Sequence, residues 1–262
     1  MQYVTIERRG RISIVRFDRG DGVNGLSQQL MRELTEAARS FESDTETSAI
    51  VLTGGEQVFT LGYDLKDPEA GAARHAGMAE RRKALQYGPR MCDAWEALEP
   101  MTFAAIEGWC VGGGAALAVS LDMRVMAEDA TLYVPEIERG MNMSWGSVPR
   151  FVNLLGPART KRVVVMAEKI EAQRAEGWGL CDEVAPRGGA LERALSLAER
   201  VAQLPPVQVR MCKQGVDMAA KALNRAVSYM DGDQFALSQS GADYEEGIKS
   251  FLQKRPPKYT GR

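Results

Sequence analysis

Residues 110–119 read CVGGGAALAV: three consecutive glycines between a strand-like stretch and an alanine-rich, helix-like one. Glycine carries no Cβ, so it lets a backbone come close to another group, but it weakens any helix it starts. Three in a row need a reason. A tight turn or a close helix–sheet contact is the ordinary one. A dinucleotide loop would read GxGxxG and be followed by an acidic residue at the end of the next strand, and neither is found. A phosphate loop would end in GK[ST], which is absent. The remaining alternative is an oxyanion site. A helix starting here leaves its first N–H groups without intrahelical partners. Bare backbone then lets a carbonyl oxygen sit about 3 Å from an amide nitrogen.

Outward from the triplet, the pattern is α/β. "TFAAIEG" (102–108) is a strand that ends just before the glycines. "MRVMAED" (123–129) and "ATLYVP" (130–135) are strand candidates with a turn between them. Upstream, "YVTIERRGRISIVRFD" (3–18) alternates apolar and polar residues around Gly10, as a hairpin does. Ser27 fits a helix N-cap, with Leu30, Leu34, Ala37, Ala38 and Phe41 on one face. "SAIVLTGG" (48–55) is a buried strand, and the strand–helix–strand order predicts a parallel sheet. Residues 67–84 are polar and rich in small side chains, and predict a mobile loop entering a helix that runs on to Leu98. From Val148 the pattern is mostly helical, with a helix start at Pro205-Pro206. The expected organisation is an α/β portion over 1–190 and a helical portion over 191–262.

Composition narrows the function classes. The chain has 262 residues, 45% hydrophobic and 26% charged, with a formal net charge of −2. A sizeable core is expected, and nucleic acid is not expected as the main partner. No apolar run approaches the roughly 20 residues of a membrane span. "MQYVTIERRG" has no apolar signal core, so a cytoplasmic location is expected. Cys92, Cys110, Cys181 and Cys212 are far apart and predict buried free thiols. His75 is the only histidine, so neither a His/Cys metal site nor a histidine triad is expected.

A second backbone site lies in "VFTLGYDLKD" (58–67), where a short strand meets Gly62 and Tyr63. Asp64 fits a cap on a short helix, which would leave nearby N–H groups pointing outward. Two such turns aimed at one point would hold a developing oxyanion.

The segments "FTLGYDLKD", "EGWCVGGGAALA" with Asp122 after it, and "VPEIERG" (134–140) occur in this order. In that order they resemble the FxxGxDL, GxxxGGGxxLAxxxD and PEIxxG segments of the enoyl-CoA hydratase/isomerase (crotonase) family. The N-terminal hairpin, the helix after Ser27 and the ending "GIKSFLQKRPPKYTG" match the family layout as well. The resemblance implies a spiral of repeated β-β-α units with a helical C-terminal portion that packs trimers, which often pair into hexamers. It implies acyl-CoA thioester substrates, with coenzyme A as part of the substrate and no separate cofactor. By motif position the oxyanion-hole amides fall on Tyr63 and Gly113, and the acid/base on Glu136. The expected coenzyme A contacts fall on Asn24, Leu26, Leu61, Gly62, Asp64 and Leu65. Arg19, Lys66 and Lys254 are candidates for its phosphates, each with a solvated surface charge as the plainer alternative.

Two departures matter. Hydratases of the family use a second glutamate a few residues after the glycines; here that position is Ala116, which can neither accept a proton nor orient water. One carboxylate suits an isomerase- or lyase-like step better than simple hydration. Members acting on hydroxycinnamoyl-CoA are similar in carrying "GWC" before the glycines, here Gly108-Trp109-Cys110, and a non-acidic residue at the Ala116 position. Trp109 is otherwise expected in the core. Finally, "GMNMSWGSVPR" (140–150) replaces a Gly- and Pro-rich stretch. Met141, Met143 and Trp145 face either the acyl pocket or a contact between copies. Alternatives at this point are an acyl-CoA decarboxylase or thioester hydrolase, and a non-catalytic acyl-CoA-binding protein.

Overall fold

The computed structural model describes residues 1–262 apart from the Arg74 side chain. Elements in chain order begin with β1 (Val4–Arg9), β2 (Ile12–Phe17), α1 (Gln28–Arg39), β3 (Ala49–Thr53) and β4 (Val58–Thr60). Then come α2 (Pro68–Arg74), α3 (Met78–Ala84), α4 (Tyr87–Glu96), β5 (Met101–Ile106), β6 (Trp109–Val111) and α5 (Gly113–Ala118). The next are β7 (Met123–Ala127), β8 (Thr131–Tyr133), a 3-10 turn (Glu136–Arg139), α6 (Ser147–Val164), β9 (Ile170–Glu171), α7 (Ala172–Trp178) and β10 (Glu183–Ala185). The helices α8 (Ala190–Ala202), α9 (Pro206–Lys221), α10 (Asn224–Ser228), α11 (Asp231–Ser238) and α12 (Ala242–Leu252) complete the chain.

The strands form two sheets, ordered β1-β2-β3-β5-β7-β10 and β4-β6-β8-β9. Each of the pairs β3/β4, β5/β6 and β7/β8 gives one strand to each sheet before the chain turns helical. That is the repeated β-β-α spiral. Within the large sheet β2, β3, β5, β7 and β10 run parallel, and only the β1–β2 hairpin is antiparallel. β3 is buried on both faces, which explains its unbroken apolar run. α1 lays Leu30, Leu34, Ala37 and Ala38 against the core, and the Ser27 hydroxyl accepts the Leu30 N–H as its N-cap. α8 covers β3, β5 and β7 through Ala190, Ala194 and Ala198.

The structure corrects several expectations. Residues 67–84 are two helices rather than a loop, because Asp67 caps α2 through the Glu69 N–H and Pro68 opens it. β10 was illegible as a strand, being three residues long. Trp109 is not in the core: it is 40% exposed. Strand alternation explains this, since Cys110 points inward and its neighbours outward. Lys169 Nζ lies over the Trp109 and Tyr133 rings at 5.6 and 5.4 Å. Cys92, Cys110 and Cys181 are buried thiols, but Cys212 is exposed on α9. Among the described residues no helix is long and apolar enough to cross a membrane.

Candidate active site

The triplet meets a different side chain at each glycine. A Cβ on Gly112 would overlap Glu136 Oε1, one on Gly113 would lie 2.5 and 2.6 Å from Cζ3 and Cη2 of Trp145, and one on Gly114 would overlap the Thr60 methyl. The close approach read from the sequence is therefore partly internal. Gly112 also has φ +52°, outside the range most side chains adopt, and its N–H donates to the Tyr133 carbonyl at 2.8 Å. Gly113 then opens α5, so its N–H has no acceptor in a preceding turn.

The second turn abuts the first. Gly62 has φ +87°, and a Cβ there would sit 2.6 Å from the Val111 carbonyl oxygen and 3.5 Å from Gly113 N. Tyr63, one residue on, bridges in parallel to Leu26. The loop before α1 braces this turn. The Leu26 N–H donates to the Gly62 carbonyl (2.8 Å), and the Asp64 N–H donates to the Leu26 carbonyl (3.2 Å). Thr60 Oγ1 donates to the Asn24 carbonyl (2.6 Å) and accepts the Gly62 N–H (3.0 Å). Asn24 is buried, and its amide nitrogen donates to the Phe17 and Phe59 carbonyls at 3.0 and 2.8 Å. Asn24 and Leu26 thus hold the turn with the groups expected to face coenzyme A. Leu61 is exposed and Leu65 half-buried.

Asp64 is not a helix cap; Asp67 takes that place. Asp64 instead pairs with Arg19 at 2.6 Å, and Arg19 also donates to the Gly25 carbonyl at 2.9 Å. Arg19 is therefore committed to carboxylates rather than solvated.

Glu136 begins the 3-10 turn after β8. The residue is partly exposed, yet Oε2 is fully enclosed and has no hydrogen-bond partner among the described residues. Burial pushes its carboxyl up from the ordinary 4.5 to about 7, against smaller opposing effects of its own backbone N–H and of Arg139. Such a group is half-ionised near neutrality and can both take and return a proton. α12 packs against this turn. Asp122, also a motif carboxylate, is held at Oδ2: Thr102 donates to it from N (2.7 Å) and Oγ1 (2.9 Å), and Lys213 Nζ lies 2.6 Å away. Ala116 is buried in α5 and offers no acid.

Of the large residues after Glu136, Met141 and Met143 are buried. Trp145 stands beside the site, packed on Gly113, on Gly88 of α4, and edge-on to Tyr63 at 6.4 Å between ring centroids. The sequence leaves Trp145 between the acyl pocket and a contact between copies; Thr60 and Arg150 escape the sequence reading. Only Thr60 had a local signal, a hydroxyl two residues before a glycine turn.

A family model described as enoyl-CoA hydratase/isomerase matches residues 7–262. The chain belongs to the enoyl-CoA hydratase/isomerase family. It is similar to 2,3-dehydroadipyl-CoA hydratase of Escherichia coli K12, 29% identical over 265 residues and the whole of both chains. A probable enoyl-CoA hydratase of Mycobacterium tuberculosis is 30% identical over 268 residues, again covering 100% of each. Among solved structures, carnitinyl-CoA hydratase from Mycobacterium avium superposes with a TM-score of 0.87 at 29% identity, covering 100% of both chains. The family assignment makes the chain a hydratase/isomerase-type enzyme with the crotonase fold.

Proposed function

We propose that this enzyme forms an enolate from an acyl-CoA thioester, with the Tyr63 and Gly113 amides as oxyanion donors and Glu136 as the only acid/base. The observation that carries the proposal is the enclosed, unpartnered Glu136 Oε2, whose carboxyl lies against Gly112, next to the Gly113 amide. An α-proton of a thioester is weakly acidic, so its removal needs charge stabilisation at the carbonyl oxygen as well as a base. The ionised Glu136 takes the α-proton. Protonated, it returns that proton to the same carbon or, when a β,γ double bond extends the enolate into a dienolate, to the γ-carbon. With Ala116 in place of a second carboxylate, an isomerase- or lyase-like step is favoured over simple hydration. Coenzyme A enters as part of the substrate, its contacts drawn from Leu61, Gly62, Asp64 and Leu65, with Asn24 and Leu26 behind them.

Hydration is the second reading, favoured by the printed names of the relatives, which are hydratases of dehydroadipyl-CoA, enoyl-CoA and carnitinyl-CoA. Two assays separate the readings. Exchange of the α-proton of butyryl-CoA in deuterated water should be fast with the wild-type enzyme and about a thousandfold slower in Glu136→Gln. Crotonyl-CoA should be hydrated slowly, and hydration at typical enzyme rates of about 10 per second or more would overturn the isomerase or lyase preference. Exchange that survives in Glu136→Gln would remove Glu136 as the base.

The enzyme is further proposed to work as a trimer or hexamer. Val207, Met211, Val216 and Met218 on α9 are all at least 60% exposed, as are Leu223, Val227 and Tyr229 around α10. An apolar surface of that extent suits a contact between copies. Sedimentation equilibrium should give a mass of three or six chains; a monomer would contradict it.

A further inference from the structure

We propose that the Trp145 indole is the wall that sets the size of the acyl group, confining this enzyme to compact acyl-CoA thioesters. The proposal rests on the Gly113 amide being an oxyanion donor. The ring lies in a slot between two helices, and both helices present glycine to it. On one side is Gly113 at the start of α5, where an added Cβ would be 2.5 Å from Cζ3. On the other is Gly88 in α4, where an added Cβ would overlap Cε2, Cδ2 and Cζ2 of the same ring. A third side is closed by Tyr63, its ring at 80° to the indole. The indole edge is therefore one residue's width from the amide that would receive the thioester oxygen, on the side of Gly113 that looks toward α4.

The wall is fixed rather than adaptable. Trp145 has φ +60°, a conformation bulky side chains seldom take, so something must hold it there. Its carbonyl accepts from Arg150 Nη1 at 2.8 Å. That guanidinium is buried and clamped by Glu96 at 2.9 and 2.8 Å and by Asp93 at 3.0 Å, both on α4. The next N–H, of Gly146, donates to Asp231 of α11 at 2.8 Å. Two separate elements thus pin the peptide that follows Trp145, and the ring itself is held by the slot between Gly88 and Gly113. Carbons beyond the reacting pair meet the indole, so long or bulky acyl groups are excluded.

The test compares the wild-type enzyme with Trp145→Gly and Trp145→Phe, using S-butyl- and S-decyl-coenzyme A. These thioethers cannot form an enolate, so calorimetry with them reads space alone. Glycine is at ease at φ +60°, so Trp145→Gly removes the ring without adding backbone strain. The wild type should bind the butyl compound at least as tightly as the decyl. In Trp145→Gly the ratio of decyl to butyl affinity should rise at least about tenfold, the scale on which a pocket discriminates a few methylenes. Trp145→Phe should move it less, in the same direction, and carries the test if circular dichroism shows Trp145→Gly unfolded. A wild type that already prefers the decyl compound, or a ratio unchanged in the folded variants, overturns the proposal. Exchange of the butyryl-CoA α-proton is measured beside it. Exchange with an unchanged ratio sinks the wall and leaves the enolate; a shifted ratio with no wild-type exchange does the reverse.

Discussion

Two of the acidic residues in the motifs of this chain, Asp122 and Glu136, have opposite surroundings. Asp122, after α5, lies where β5 meets α9, with two donors from Thr102 and the ammonium of Lys213 around one oxygen. Glu136, after β8, lies against Gly112 with one oxygen enclosed and unpartnered. A carboxylate oxygen held by an ammonium and two hydrogen-bond donors is a fastening, because moving its charge would break each of those bonds. A carboxylate kept dry and under-partnered is poised to exchange a proton, and its upward shift to about 7 expresses the same fact. The family motif singles out Glu136 as the acid/base, and the partners of the two carboxylates supply a physical reason.

Substitutions at the two sites should therefore fail in different ways. Glu136→Gln should lower α-proton exchange about a thousandfold, within the range expected for losing a general base. It should remain folded, as read by circular dichroism. Asp122→Ala should do the converse. It strands Lys213, which is buried and otherwise bonded only to the Pro100 carbonyl, so unfolding in urea should show a loss of about 3–5 kcal/mol. Exchange per folded molecule should persist. If Asp122→Ala abolished exchange without destabilising the protein, the division between fastening and chemistry would be broken.

The pH dependence of stability sharpens the contrast. The Glu136 carboxyl ionises at about 7 when folded and near 4.5 when unfolded. Between those values the folded state binds more protons than the unfolded, so stability falls as pH rises through the window, by about 3 kcal/mol in all. Urea titrations at intervals across that window should show the fall in the wild type and its absence in Glu136→Gln. The smallest effect is expected at Thr102→Val, which removes one donor to Asp122 and leaves the Thr102 N–H and Lys213 in place. A loss of about 1 kcal/mol in the same urea assay is predicted.

What could be seen in the sequence follows the range of the forces involved. The hairpin at 3–18, the Ser27 cap and the strands beside the glycines were legible because alternation, capping and apolar runs act over a few residues. Glu136 was legible from its motif, but the enclosure of Oε2 and the approach of Oε1 to Gly112 were not, since they depend on residues far from it in the chain. Asp64 was misplaced as a cap because two aspartates three residues apart look alike locally. Only the Pro68 that follows Asp67, and the Gln28 N–H it also accepts at 2.7 Å, distinguish them. Trp145 was undecidable between a pocket and a contact between copies, because its slot is built by Gly88 and Gly113, far from it in the chain. Trp109 was misjudged for a similar reason: its place depends on the phase of a three-residue strand.

The most direct test is the rate of butyryl-CoA α-proton exchange in deuterated water as a function of pH, for the wild type and Glu136→Gln. A single enclosed glutamate acting as base predicts a wild-type rate that rises with a midpoint near 7 and levels off above it, with no such step in the variant. A midpoint near 4.5, or the same profile in both proteins, would contradict it.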